Sequence, residues 1–317
     1  MESGDFVEFR KKVFNLYREG NYSKALEIAE EAHAKFIDRV SETSYWLACL
    51  NSVLHNGDKA IEILKSSLNA GIFWSPKGLE KEKDFESIRE RKEFRELLEK
   101  FSQIYEEMQK SSKPEKLVFY PDNFDNKKKY SLFVALHEMG GNAEEFSTHW
   151  KHVLKRGYIL LVPQSSQLFG TKRYCWDDWG KGKKEVLGHI MEIKEKHSLI
   201  EDDIIIAGAS QGASFGFIDL VLGGTPLNFR KFILVIPPVD DLSFYVPLLE
   251  SGARKGVKGY IIAGGKDIFI DSTKKLHSEM EKAGLQCKLT VIPGMGHEFP
   301  SSFDNYLDEA LEYLKGP

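Results

Sequence analysis

The stretch that decides the fold runs from Asp203 to Leu220 and reads DIIIAGASQGASFGFIDL. It opens with the apolar run Ile204–Ala207, which predicts a buried strand, and it ends in small and apolar residues that predict a helix. The turn Gly208–Gly212 joins the two, and its glycines leave room where side chains would collide with the neighbouring strand and helix. The pattern predicts a tight strand–turn–helix unit with Ser210 at its apex.

Within this turn, Gly-x-Ser-x-Gly between a strand and a helix is the pattern of a nucleophile elbow, in which a strained backbone raises the serine hydroxyl above the sheet. The alternative is a glycine-rich turn that cradles a phosphate. Neither Gly-x-Gly-x-x-Gly nor Gly-x-x-x-x-Gly-Lys-[Ser/Thr] fits these residues, which argues against that alternative. We therefore interpret Ser210 as a candidate nucleophile.

The composition of the 317-residue chain is that of an ordinary soluble protein, with 42% hydrophobic and 29% charged residues. This length has room for one large domain and a smaller one. The formal net charge of −4 gives no general attraction to nucleic acids or anionic membranes. The widely spaced Cys49, Cys175 and Cys287 suit a reducing compartment rather than a disulfide framework. Neither a signal-peptide pattern nor a membrane-spanning stretch is visible, so we expect a cytoplasmic protein.

The first third of the chain shows helical periodicity and little strand character. A helix that carries Ala25 and a later helix that carries Ala60 follow similar breaks, and the two alanines lie 35 residues apart. This spacing and the segment Gly20–Leu26 are similar to a tetratricopeptide repeat. The second copy departs from the repeat because His55 stands where Gly20 stands in the first.

These features predict a small all-helical, tetratricopeptide-like domain over residues 1–110, followed by a linker over residues 111–116. A third helical stretch, Asp84–Met108, closes the domain by covering an apolar face. The helices are either a docking platform for a partner protein or an extension packed on the chain's own catalytic domain. Because only about two repeats are visible, we favour the extension.

From residue 117 to 317, apolar runs alternate with helix-length segments, which is typical of a mostly parallel sheet with helices on both faces. In such sheets reactive groups collect beyond the carboxyl ends of the strands, where Ser210 lies. The predicted strands are Leu117–Tyr120, Ser131–Leu136, Tyr158–Val162, Asp203–Ala207, Phe232–Ile236, Gly259–Ala263 and Cys287–Ile292. The predicted helices are Ala143–Lys155, Lys183–His197, Ala213–Leu222, Ser272–Ala283 and Asp304–Leu314.

Two residues at predicted strand ends complete a catalytic set with Ser210. A serine hydroxyl needs a base to remove its proton and a third group to orient that base. Asp267 follows the strand that ends at Ala263, and His297 lies in a glycine-rich turn after the last strand. The order Ser, Asp, His is that of the α/β-hydrolase triad. The competing candidates for the acid, each of which also suits a turn or a helix cap, are Asp240, Asp241 and Asp271.

A tetrahedral intermediate at such a serine also needs backbone N–H donors aimed at its oxygen. One donor is expected from Gln211, the residue after the nucleophile. The other is expected from the loop Leu136–Asn142, LHEMGGN, where Met139 is the candidate by position. An ordinary glycine turn is the alternative interpretation of this loop.

Together these segments resemble the phospholipase/carboxylesterase branch of the α/β-hydrolases, from about residue 117 to residue 317. The resemblance implies hydrolysis of carboxylic esters or thioesters through an acyl-serine, with no cofactor. It implies Ser210 as nucleophile, Asp267 as orienting acid and His297 as base, with Met139 and Gln211 as the oxyanion donors. The segments that carry it are Leu136–Asn142, Val162–Ser165, Ala207–Gly212, Gly264–Asp267 and Gly296–His297.

One residue departs from the family pattern. Glu138 stands where the family usually has a glycine after the histidine of the oxyanion loop. A carboxylate that pointed inward here would oppose a developing negative charge. We therefore expect Glu138 either to point out to solvent or to accompany an unusual activity.

Aromatic residues follow the strand that ends at Val162, and Trp176 and Trp179 among them are candidates to line a substrate pocket. The alternative is that these rings pack their loop onto the body of the domain. The connection between Pro237 and Lys258 is only about one helix long, so no separate cap domain is expected there.

The function that these residues predict is hydrolysis of a small-molecule acyl ester or thioester. Two alternatives stay open. In one, the helical repeats bind a partner and the hydrolase domain is secondary or inactive; in the other, the same triad serves a serine peptidase. A metal site is not expected, since no zinc-protease pattern is complete and no Cys/His cluster has ligand spacing.

Overall fold

The computed structural model describes residues 4–239 and 241–316. The chain divides into two compact units. The helical unit comprises Met1–Ser112 together with Leu168–Arg173, and the sheet unit comprises Lys113–Gln167 together with Tyr174–Pro317. Across the described ranges, no helix has the length and apolar character needed to cross a membrane.

The helical unit is built from consecutive helices in which each of the first three contacts the next. Ala25, Ala29 and Ala32 are fully buried in the second helix, and their small side chains let neighbouring helices approach closely. The helices are α1 (Gly4–Arg18), α2 (Tyr22–Lys35), α3 (Val40–Val53), α4 (Gly57–Asn69), α5 (Pro76–Lys81) and α6 (Lys92–Ser111), with 3-10 turns at Ile37–Arg39 and Lys83–Phe85.

The turn before α2 recurs before α4. Gly20 has a φ of 74° and His55 a φ of 62°, so both adopt the left-handed backbone conformation. Asn21 and Asn56 follow with nearly the same angles, φ −87° and ψ 59° against φ −87° and ψ 52°. The second copy therefore keeps the geometry of the turn without its glycine. The tetratricopeptide-like character of the unit stays a prediction.

The end of the helical unit differs from the sequence-based boundaries. The last long helix begins at Lys92 and not at Asp84, because Lys83–Phe85 forms a separate 3-10 turn. This helix continues to Ser111, and the next strand already begins at Glu115, so the connection between them is shorter than predicted. Of the predicted linker, Ser111 ends α6 and Glu115 and Lys116 begin β1, so only residues 112–114 connect the two elements.

The segment Leu168–Arg173 was not expected in the helical unit. Gly170 forms a β-bridge with Trp74, and the backbone N–H of Thr171 donates to the carbonyl of Phe73 at 2.9 Å. Phe73 and Thr171 are 98 positions apart in the chain. Local periodicity carries no information on a pairing over that separation. The sequence alone therefore predicts a single boundary between the two domains and does not predict the return of Leu168–Arg173 to the helical unit.

The sheet unit is organised around seven strands. They are β1 (Glu115–Phe119), β2 (Tyr130–Leu136), β3 (Tyr158–Gln164), β6 (Leu199–Ala209), β7 (Lys231–Val235), β8 (Lys258–Gly264) and β9 (Gln286–Ile292), while β4 (Gln167–Gly170) and β5 (Arg173–Cys175) form a separate hairpin. The order across the sheet is β1-β3-β2-β6-β7-β8-β9. All neighbouring strands are parallel except β1 and β3.

In the described part of the sheet unit, five helices lie between these strands and a sixth follows the last strand. They are α7 (Ala143–Trp150), α8 (Trp179–Lys196), α9 (Gln211–Phe215), α10 (Val246–Arg254), α11 (Ile270–Lys282) and α12 (Phe303–Lys315). A 3-10 turn follows α7 over Lys151–Arg156, and α9 continues as a π-helix over Gly216–Leu222. Helix α8 begins four residues before its predicted start, because the Asp178 side chain accepts a hydrogen bond from the Lys181 backbone at 2.9 Å.

The core of the sheet unit lies on both faces of the sheet. Along β2, Leu132 and Val134 join one apolar cluster, whereas Phe133 and Ala135 join the other. The first cluster also contains side chains of α8, α10 and α11, and the second contains side chains of α7 and α12. The predicted mostly parallel sheet with helices on both faces is confirmed, and its apolar strands follow from burial on two sides.

Candidate active site

Ser210 lies between β6 and α9 in a conformation that non-glycine residues rarely adopt, with φ 48° and ψ −124°. Strain of this kind costs about 1–3 kcal/mol and persists only where the surroundings enforce it. A Cβ on Gly208 would lie 2.6 Å from the carbonyl carbon of Gly212. A Cβ on Gly212 would lie 2.3 Å from the carbonyl oxygen of Leu136 and 2.4 Å from that of His137. Both glycines are therefore required for the turn to close.

Replacing Gly212 tests this packing directly. We expect Gly212→Ala to lower the free energy of unfolding by about 3 kcal/mol or more, because backbone atoms oppose the new methyl group and cannot move aside cheaply. The matched control is Gly188→Ala on the exposed side of α8, where a Cβ meets nothing within 4 Å. That change is expected to stabilise the protein by about 0.5–1 kcal/mol. Urea unfolding of both variants measures the difference, and similar values would contradict the close approach at Gly212.

His297 and Asp267 extend a hydrogen-bonded chain from the serine. Ser210 Oγ lies 2.9 Å from His297 Nε2, and His297 Nδ1 lies 2.8 Å from Asp267 Oδ2. The other oxygen of Asp267 accepts a hydrogen bond from the Phe269 backbone at 3.0 Å. Asp267 is only 5% exposed, so this partnership keeps a buried carboxylate satisfied. With Nδ1–H donating to Asp267, Nε2 is left to accept the proton of Ser210.

The ends of β8 and β9 bring these two side chains together. A Cβ on Gly264 would lie 2.3 Å from the carbonyl oxygen of Gly296, so only a glycine permits the two loops to approach so closely. The backbone N–H of Lys266 donates to the carbonyl of Met295 at 2.8 Å and joins the loops on either side. Phe269, which the sequence did not single out, packs edge-on against the His297 ring at 5.6 Å.

The competing acids occupy other positions. Asp241 accepts a hydrogen bond from the Ser243 backbone at 2.8 Å, and this bond lowers the pKa of its carboxyl. Asp271 is exposed in the first turn of α11. Asp240 lies outside the described residues. Asp241 and Asp271 thus lie at a turn or helix start, which fits the alternative interpretation of these residues as turn or helix-cap residues.

The backbone N–H groups of Met139 and Gln211, the two candidate oxyanion donors, differ from those of the neighbouring glycines. Within the part of the chain that the structure describes, the backbone N–H groups of Met139 and Gln211 donate no hydrogen bond. By contrast, Gly140 N–H donates to Tyr174 at 2.8 Å, and Gly141 N–H donates to Glu138 at 3.0 Å. The loop therefore holds its glycine amides in place and leaves Met139 N–H available, as a donor to an oxyanion requires.

Glu138 does not extend freely into solvent. Its side chain is half-buried, and its carboxyl group folds over Gly141, where an added Cβ would lie 2.9 Å from it. Glycine at position 141 thus gives the carboxylate room within the loop itself. Of the two expectations for Glu138, the solvent-pointing arrangement is not the one observed.

The histidine of this loop has a structural position. His137 is fully buried, and burial lowers its pKa to about 4. Its Nδ1–H donates to the carbonyl of Glu138 at 2.9 Å, and its Nε2 accepts from the Ser165 backbone at 3.4 Å. A neutral ring satisfies both bonds, so His137 fastens the loop without carrying charge.

This neutral histidine predicts a pH dependence of stability. Because the folded-state pKa lies below the ordinary value of 6.5, the contribution is fully present above pH 6.5 and is lost as the pH falls towards 4. We expect the loss to amount to about 3 kcal/mol. His137→Gln removes the titrating group and should flatten the decline, while His189 and His197, whose pKa values are also lowered, remain in both proteins. Urea unfolding of both proteins at pH 7 and pH 4 measures this loss. If the free energy of unfolding falls by the same amount in both proteins, the assignment to His137 is refuted.

Trp176 and Trp179 occupy different environments. Trp176 is fully buried and stacks on Phe215 with ring centroids 5.0 Å apart, so it has no open surface for a ligand in this structure. Trp179 is half-buried at the start of α8 and lies 6.2 Å from the same phenylalanine. Packing onto the body therefore describes Trp176, and a pocket role for Trp179 stays a prediction. Among the described residues, no group of three or more His, Cys, Asp or Glu side chains is placed to hold a metal ion.

Solved structures of other proteins share this architecture. An uncharacterized protein from Bacillus cereus matches over 98% of both chains with a TM-score of 0.55 and 24% identity. The butyrate-bound esterase Est2 of Thermogutta terrifontis matches 64% of this chain and 90% of its own, with a TM-score of 0.50 and 14% identity. A ferulic acid esterase matches 62% and 90%, with a TM-score of 0.50 and 18% identity. The sheet unit has the α/β-hydrolase fold.

Sequence comparison connects the chain to a second group of proteins. Dipeptidyl-peptidase 5 of Aspergillus fumigatus is 33% identical over 125 residues, and the probable dipeptidyl-peptidase 5 of Aspergillus terreus is 31% identical over the same length. Each match covers 36% of this chain and 17% of the relative, so the chain spans less than a fifth of the curated relatives' length. No protein-family model matches the chain.

Proposed function

We propose that this protein is a serine hydrolase that cleaves carboxylic esters or thioesters through an acyl-serine intermediate. The observation that carries the proposal is the hydrogen-bonded chain from Ser210 through His297 to Asp267, with distances of 2.9 and 2.8 Å. The serine stands at a strained turn beyond the carboxyl end of a central strand, where reactive groups of such sheets collect.

In the proposed reaction, Ser210 Oγ attacks the carbonyl carbon of the substrate while His297 Nε2 takes the hydroxyl proton. Asp267 keeps Nδ1–H directed at its carboxylate and stabilises the imidazolium that forms. The N–H groups of Met139 and Gln211 receive the oxyanion of the tetrahedral intermediate. His297 then returns the proton to the departing alcohol or thiol, and Ser210 remains acylated.

Water completes the cycle in the same geometry. His297 removes a proton from the water as it attacks the acyl-serine, and the second tetrahedral intermediate uses the same donors. Ser210 regains its proton as the acid departs. Each step moves a proton only between Ser210, His297, water and the leaving group, so the proposed cycle requires no cofactor.

A serine peptidase is the second candidate, because the curated relatives are dipeptidyl-peptidases. The same triad hydrolyses amides when the histidine protonates the leaving amine. Serine peptidases also cleave activated esters, so turnover of an ester alone does not separate the two candidates. The ratio of kcat/KM for matched ester and amide substrates does separate the two candidates.

The experiment uses a series of 4-nitrophenyl acyl esters of graded chain length, acyl thioesters, and dipeptidyl 4-nitroanilides. For an esterase, we expect kcat/KM on the best ester or thioester to exceed that on the best anilide by at least about 10³-fold. A dipeptidyl anilide turned over within tenfold of the best ester would instead establish a peptidase. A purified protein inactive on every substrate and unlabelled by a fluorophosphonate would overturn the hydrolase proposal.

A further inference from the structure

The proposed mechanism uses the backbone of Gln211 and makes no use of its side chain. That side chain nevertheless makes two hydrogen bonds to one neighbouring segment. Oε1 accepts from the backbone N–H of Trp176 at 2.8 Å, and Nε2 donates to Asp177 Oδ1 at 2.9 Å. Both polar groups of the amide are therefore committed to a segment about 35 residues earlier in the chain.

The same segment also contacts the loop that carries the other donor. The indole N–H of Trp176 donates to the carbonyl of His137 at 2.9 Å, and the two rings lie 4.8 Å apart. Tyr174, two residues earlier, exchanges backbone hydrogen bonds with Gly140 and Gly141 at 2.8 and 3.0 Å. Residues 174–177 therefore connect the oxyanion loop on one side with the start of α9 on the other.

The connection matters because the two candidate donors belong to separate elements. Met139 N–H is in the loop after β2, whereas Gln211 N–H begins α9. An oxyanion needs donors at 2.7–3.1 Å, and an error of about 1 Å in placing such a group costs about 10²-fold in rate. Gly212 packs directly on the carbonyls of Leu136 and His137, and contacts of both elements with residues 174–177 add a second constraint on the spacing of the two N–H groups.

We propose that Gln211 and Trp176 are positioning residues that hold the two oxyanion donors at a fixed separation. This inference rests on the proposed serine hydrolase function. Gln211 ties the start of α9 to residues 176–177, and Trp176, fully buried and stacked on Phe215, ties the same segment to the loop at His137. The carboxamide acts through the placement of backbone N–H groups and does not touch the reacting atoms.

The test compares Gln211→Met, which keeps the length of the side chain and removes both hydrogen bonds, with Gln286→Met, an exposed position on β9. We measure kcat and KM for a short 4-nitrophenyl ester and the inhibition constant of a trifluoromethyl ketone, whose adduct with serine carries an oxyanion. For Gln211→Met we expect kcat to fall about 10–100-fold with KM changed less than about threefold. Ketone affinity should fall in parallel, while Gln286→Met leaves all three values unchanged.

A second variant keeps the test decisive if Gln211→Met folds poorly. In Gln211→Glu/Asp177→Asn the acceptor and donor exchange places, so the bonds to Trp176 N–H and to position 177 are both retained with the same total charge. We expect this pair to be at least about fivefold more active than Gln211→Glu alone, which sets two carboxylates against each other. A recovery of activity in the double variant would show that the hydrogen bonds of residue 211 to residues 176 and 177 affect the rate, beyond any effect on the stability of the fold.

The outcomes separate this inference from the proposed function. If the parent protein turns over ester and Gln211→Met has kcat within twofold of it, the positioning role is overturned and the hydrolase function stands. Equal activity of Gln211→Glu and the exchanged pair would overturn it as well. A parent protein without turnover or fluorophosphonate labelling would overturn the proposed function and this inference together.

Discussion

Ser210→Ala should reduce kcat on the best ester by about 10⁵–10⁶-fold and abolish labelling by a fluorophosphonate. The reason is that the hydroxyl is the only group of Ser210 that forms the acyl bond, and its loss removes the covalent route altogether. KM should change little, because substrate binding does not depend on this oxygen. Single-turnover kinetics and mass spectrometry of the labelled protein measure both effects.

The matched control for this prediction is Ser214→Ala, one turn further along the same helix. Ser214 Oγ donates to the carbonyl of Pro238 at 2.9 Å and is buried, so it has a structural partner. Ser214→Ala should keep its labelling and most of its activity. Labelling that persists in Ser210→Ala, or that maps to Ser214, would show that the nucleophile has been misidentified.

Asp267→Asn should lower kcat by about 10⁴-fold. An amide at this position donates to Nδ1 through its N–H₂ group or accepts from it without charge, so His297 loses both its preferred tautomer and its electrostatic partner. The bond at stake is the 2.8 Å contact between Asp267 Oδ2 and His297 Nδ1. Activity as a function of pH, measured beside the unfolding midpoint, separates this loss from a general loss of stability.

Asp241→Asn and Asp271→Asn are the controls, because both residues competed for the same role on sequence grounds. Each lies at or near a helix or turn start, so each change is expected to cost at most about 1–2 kcal/mol of stability with kcat within a fewfold of the parent. A collapse of kcat in either control, with Asp267→Asn nearly as active as the parent, would reassign the acid.

The sequence by itself determined the features that depend on neighbours within about one element. The strand–turn–helix around Ser210 can be predicted because β-branched residues, two glycines and small helix residues follow one another locally. The alternation of apolar runs with helix-length segments, which predicts a parallel sheet with two covered faces, is also a local pattern. Ser210, Asp267 and His297 each follow a predicted strand, and this shared position narrowed the candidate site to one edge of the sheet.

Only the tertiary structure decided which of these groups meet. His297 is 87 positions from Ser210 and 30 from Asp267, and the sequence favours Asp267 as its partner while it leaves Asp271 as a competitor. The fold brings Asp267 to His297, because glycine at 264 lets the two loops approach to backbone contact.

The same limit explains the other differences. Trp176 looked like a pocket residue because aromatic character is visible in a sequence, whereas its burial against Phe215 is not. The pairing of Gly170 with Trp74 joins segments almost a hundred residues apart. Burial and pairing of this kind arise from packing between segments that are distant in the chain. Local sequence patterns show which residue types are available for such contacts, but they do not show which segments meet.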